Sequence, residues 1–187
     1  MAMTTVRRPS TASVLLLVGA VTTFVGAFLE WFDMTTPQGS KTFNGVDSTA
    51  GAATAGFGAV LIALAAVQWW RSRSGNGRVV SIIAIVVGAF VAFIAFYAAI
   101  APETSLPFFE AQTVSEQLGV SEEAASQALQ QAIDAGTIEV SGGVGGWVSA
   151  IGSVHVLAGG IVGARKMRSG MVTTSPASAV PPPPPAP

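Results

Sequence analysis

The sequence predicts an all-α integral membrane protein: an antiparallel bundle of four transmembrane helices, with a small helical extracytoplasmic cap between helices three and four. Three observations predict it. Only 10% of the 187 residues are charged while 50% are hydrophobic, against about 25% charged in a soluble domain. Four uncharged apolar stretches are each long enough to cross a hydrocarbon core, which takes about 20 residues. The basic residues also sort to one side of those stretches.

The first stretch, "SVLLLVGAVTTFVGAFL", opens a span expected over about 13–32. The second is "GAATAGFGAVLIALAAVQWW" at 51–70, and the third is "VVSIIAIVVGAFVAFIAFYAAI" at 79–100. The fourth is "VGGWVSAIGSVHVLAGGIVGA" at 144–164. The membrane domain therefore runs from 13 to 165, preceded by a cytoplasmic tail at 1–12 and followed by a disordered cytoplasmic tail at 166–187. The start also carries features of a secretory signal, a basic pair followed by an apolar run and small residues at Val25, Gly26 and Ala27. Cleavage there would leave three spans in the same orientation. The run is long for a signal, and Trp31 would make a good anchor, which favours a retained helix.

Orientation follows the positive-inside rule. Arg7 and Arg8, then Arg71, Arg73 and Arg78, then Arg165, Lys166 and Arg168 all fall on one side if four helices cross. Only Lys41 lies opposite, with all ten acids. Both termini are predicted cytoplasmic and the protein is placed in the plasma membrane as a multi-pass chain, with the lipid bilayer as its solvent. Tryptophan favours membrane interfaces, so Trp31, Trp69, Trp70 and Trp147 are expected as an interface belt. Small residues at four-residue spacing are expected to let helix backbones approach: Gly51, Ala55 and Ala59 in span two, Gly88 in span three, and Gly159 and Gly163 in span four.

The outer segment 101–143 holds the cap. "TVSE" at 113–116 has capping-box form and starts a short helix ending at Gly119. Ser121 caps a second helix with Glu122 and Glu123 in its first turn, and Gly136 ends it. "TIEV" follows as a short strand. The stretch 114–140 looks like a helix-turn-helix with the start of a wing, yet it contains no Lys or Arg and cannot neutralise phosphates. Nucleic acid is excluded as a partner. Leu118, Ala125, Leu129 and Ile133 form an apolar stripe that must pack on the bundle or on another protein. The loop between spans one and two carries turn residues, and a hairpin with Thr42 and Phe43 on one arm fits there.

No catalytic motif is present. There is no cysteine and a single histidine, whereas zinc sites take three or four protein ligands, so no metal and no cofactor is expected. Two polar residues are singled out. His155 lies deep in span four, where ionisable groups are functional candidates, although a neutral histidine can also bond a neighbouring Ser or carbonyl. Glu30 sits at the outer edge of span one. Gln68 reads as a hydrogen-bond donor at the inner end. The tail ends in "PPPPPAP", a polyproline II segment that would suit a proline-binding partner.

Five features together carry a resemblance: "FLEW" at the exit of span one, "FNGVDSTAG" opening into Gly-rich span two, the Arg-rich inner turn, "GGW" opening span four, and the Pro-rich tail. The layout resembles small uncharacterised four-helix (tetraspan) membrane proteins of actinobacterial type. The resemblance implies a non-enzymatic accessory or assembly subunit of a cell-envelope or respiratory complex, acting through membrane-protein partners. The alternative is a small transporter or channel component with a polar site near His155.

Overall fold

The computed structural model describes residues 10–71 and 77–172. Their order is α1 (Thr11–Gly26), β1 (Glu30–Thr36), β2 (Gly39–Asn44), a 3-10 turn (Gly45–Asp47), α2 (Thr49–Arg71), α3 (Gly77–Ile100), α4 (Pro102–Leu118), α5 (Glu122–Asp134), β3 (Glu139–Gly142) and α6 (Val144–Val172). Three helical segments are long and apolar enough to cross a membrane: Thr49–Trp70, Arg78–Ile100 and Val144–Arg165. α1 is equally apolar but has 16 residues, about 24 Å at 1.5 Å per residue, against a hydrocarbon core of about 30 Å.

Two boundaries differ from the sequence expectation. α1 stops at Gly26 rather than near 32, because "EWFDMTT" leaves the helix and forms β1. Its Trp, Phe and Thr residues suit a strand, and β1 pairs antiparallel with β2 on one side and β3 on the other. The tail expected at 166–187 begins later, since α6 continues to Val172; Ala, Arg, Lys and Met favour helix. The Pro-rich end, Arg7 and Arg8, and most of the inner loop lie outside the described residues.

α1, α2, α3 and α6 pack side by side. α6 lies against both α1 and α3, and α2 joins them on the far side. Neighbours run antiparallel: Gly159 of α6 meets Ala12 and Leu16 of α1, while Gly152 meets Gly19 and Thr23. The approach is so close that a Cβ on Gly19 would lie 2.6 Å from the Gly152 carbonyl oxygen, and one on Gly152 would lie 2.5 Å from the Thr23 nitrogen. Leu16, Ala20, Leu61, Ala65, Ala84 and Val156 fill the centre. Gly88 packs on Val156, and Gly163 packs on Ser81 and Gln68.

The small-residue stripe of α2 is displaced from the expected one. Ala59 is exposed and Ala55 half-buried, whereas Gly51, Thr54, Gly58, Leu61, Ala65 and Gln68 are buried. A helix turns every 3.6 residues, so a row at strict four-residue spacing drifts off the buried face. Alternating steps of three and four stay on it. Gly51 itself packs closest on the backbone of Gly45, within the turn that precedes α2.

The cap is an α/β unit, not a purely helical one. A three-stranded sheet ordered β2-β1-β3 sits with α4 and α5 over one end of the helices. Its core combines Trp31 and Phe32 of β1, Leu106 of α4 and Val140 of β3 with Ala50, Ile94, Ala95, Ala98 and Ala150 from the helix ends. Adjacent strand residues normally face opposite sides. An irregularity in register between Glu30 and Phe32 lets Trp31 and Phe32 both turn inward, as bulges do. α4 is longer than expected because it starts at Pro102, a residue pre-organised for the first helical position. α5 matches its expectation: Ser121 accepts from the Ala124 N–H, and Gly119 and Gly136 take φ of +67° and +68°, which glycine adopts without a Cβ clash. Leu129 and Ile133 pack against the cap core, and α5 rests mainly on α4.

Candidate functional site

All ten acids of the chain fall on cap elements, with Lys41 the single basic residue among them. Lys41 lies over the Phe43 ring, 4.7 Å from its centroid. Asp47, Glu103, Glu116, Glu122, Glu123, Asp134 and Glu139 are exposed. An open groove of about 390 Å³ runs between α4 and α5, walled by Pro107, Phe108 and Ala111 on one side and by Glu122, Glu123, Ser126 and Gln127 on the other. Phe108 is 73% exposed at its rim. The groove thus joins an apolar wall to an acidic one.

One acid is different. Glu110 is 1% exposed, and its Oε1 accepts from the Thr49 N–H at 3.2 Å. Thr49 opens α2, and Ser48 Oγ accepts from Gly51 N–H at 3.0 Å in the same turn. The first N–H groups of a helix lack intrahelical partners and carry its positive end, so Ser48 and Glu110 together close the start of α2. Glu110 pins α4 to α2. Sequence reasoning placed Glu110 only among the outer acids. Its position four residues after Leu106 and five before Ser115, both buried, sets it on the inner face of α4, but that face becomes visible only once the helix is known to begin at Pro102.

The two polar candidates do not come together. His155 is exposed on α6, its Nδ1 2.8 Å from the Ile151 carbonyl oxygen of its own helix. Its stem lies against α1, 2.9 Å from where a Cβ on Gly19 would sit. It faces away from the bundle centre. Glu30 is half-buried at the start of β1, packed against Gly143.

The tryptophans divide. Trp69, Trp70 and Trp147 are exposed at 50%, 78% and 46%, and the Phe96 and Trp147 rings meet edge to face. Trp31 is corrected: it is 1% exposed and its Nε1 donates to the Gly26 carbonyl at 3.0 Å. It stoppers the end of α1 rather than facing an interface. Gln68 is buried at the opposite end, where its Oε1 and the Ser81 Oγ have no hydrogen-bond partner among the described residues.

No known protein family matches this chain. Neither does a characterised protein or a solved structure. Among the described residues no cluster of His, Cys, Asp or Glu is arranged to hold a metal ion.

Proposed function

We propose that the chain is a non-enzymatic, four-span protein of the plasma membrane that acts through protein contacts, as an accessory or assembly subunit of a membrane complex. Three spans are α2, α3 and α6. α1 makes the fourth, because its residues run alongside the candidate span of α6 from Gly145 to Gly159 and share its depth. The cap lies outside and both termini lie in the cytoplasm, in accord with the basic residues at the far end.

The observation that carries this reading is the segregation of charge. Ten acids against one lysine sit on the cap, and the α4–α5 groove sets Glu122 and Glu123 beside exposed Phe108. Such a surface attracts and orients a basic partner. The bundle interior argues the same way, since its helices are in backbone contact and its centre is filled by Leu, Ala and Val side chains. The transporter alternative gains nothing from His155, which looks outward.

Purification in mild detergent tests the reading. A defined partner is expected in stoichiometric yield, released as salt screens the charges and lost from a Glu122→Gln/Glu123→Gln variant that still folds. Recovery of the chain alone, or equal recovery of the partner with that variant, contradicts it.

A further inference from the structure

In the α4–α5 groove an apolar wall and two carboxylates face one opening. Its walls are short. Pro107 to Ala111 rises about 6 Å and Glu122 to Gln127 about 8 Å at 1.5 Å per residue, the length of two or three extended residues. Its volume of about 390 Å³ lies at the small end of ligand clefts, about 300–1,000 Å³. A folded partner contributes about 800 Å² to a stable interface, far more than such a slot takes in. The groove fits a short linear segment that brings one large side chain.

Charge selects the occupant. Glu122 and Glu123 stand exposed in the first turn of α5, and acyl chains laid over Phe108 would strip water from those carboxylates without replacing it. Lipid is therefore a poor cover. A second copy is poor as well. Its cap presents the same ten acids with Lys41 as the single basic residue, and like charges set against each other repel. The chain's own Arg78 and Arg165 stand at the opposite helix ends, about 34 Å away along the 23 residues of Arg78–Ile100. What remains is a cationic segment of another chain. Arginine suits both walls, because its guanidinium forks onto carboxylates and stacks on aromatic faces, and Phe108 is 73% exposed at the rim. Ser126 and Gln127 add uncharged hydrogen-bonding groups beside the two acids.

We propose that the α4–α5 groove docks a short linear segment of a partner chain, in which arginines flank one large apolar side chain. The inference rests on the reading of the cap as a contact surface. The test uses the full-length chain in phosphatidylcholine nanodiscs, which offer a cationic probe no anionic lipid. The probe is a fluorescein-labelled peptide with Arg-Trp-Arg at its centre, followed by anisotropy. Saturable binding is expected. It should weaken about tenfold or more when alanine replaces the peptide's tryptophan, and equally with Phe108→Ala or Glu122→Gln/Glu123→Gln at unchanged helix content. Asp47→Asn/Glu139→Gln removes the same charge outside the groove and should leave binding within about twofold. No saturable binding, an equal loss with Asp47→Asn/Glu139→Gln, or indifference to the tryptophan or to Phe108→Ala each overturns the proposal. Purification in mild detergent separates it from the reading beneath it. A stoichiometric partner that departs with Glu122→Gln/Glu123→Gln, alongside no peptide binding, removes the linear segment alone. Absence of any partner as well removes both.

Discussion

The cap and the helix bundle solve packing in opposite ways. In the cap, two aromatic side chains of one strand, Trp31 and Phe32, fill the space between sheet and helix ends, and a buried carboxylate ties distant segments together. In the bundle, space is removed rather than filled: glycines bring α1 and α6 into backbone contact. The difference teaches where each region is sensitive. Truncation damages the cap, enlargement damages the bundle, and the outward faces of the bundle tolerate both.

The largest effect is expected for Trp31→Ala. It empties a fully buried aromatic site and removes the bond to Gly26, with a loss of about 3–5 kcal/mol. Limited proteolysis of the purified protein in detergent is expected to show cleavage within the cap while the helices stay protected. Protection of the cap would break the comparison. Gly152→Leu comes next. Its side chain would be driven into Thr23, and overpacking of this kind costs about 1–3 kcal/mol; thermal unfolding in detergent should fall accordingly, and a Gly152→Ala variant should fall less. Glu110→Ala is expected to cost about 1–2 kcal/mol, in the range of a lost helix cap, with hydrogen exchange rising at Thr49 before it rises elsewhere in α2. The smallest effect belongs to Ala59→Leu. Although Ala59 lies on the row of small residues four apart, it is exposed, and the change should stay within about 0.5 kcal/mol. A loss as large as that of Gly152→Leu would restore the four-residue stripe as the packing face.

Legibility followed the range of the interactions involved. α5 could be read from Ser121 and Gly136 because caps act within one turn, and α2, α3 and α6 could be read because an uncharged run of that length has few other fates. β1 could not. Its apolar residues continue the hydrophobic run of α1, and what makes them a strand is pairing on both edges, with β2 just after it and with β3 more than a hundred residues later in the chain. The role of Glu110 was hidden for the same reason, since its partner at Thr49 lies 61 residues away. His155 was legible as a polar residue within a span, but its direction was not. That depends on which side of α6 the glycines give to α1.

The central claim is that the acidic cap and the basic helix ends face opposite sides of a membrane. Labelling of single cysteines with a membrane-impermeant maleimide on intact cells tests it most directly. Gln127→Cys, in the cap groove, is predicted to react at once, and Ser72→Cys, in the inner loop, only after the cells are permeabilised. Reaction of Ser72→Cys on intact cells, or protection of Gln127→Cys until permeabilisation, would contradict the account.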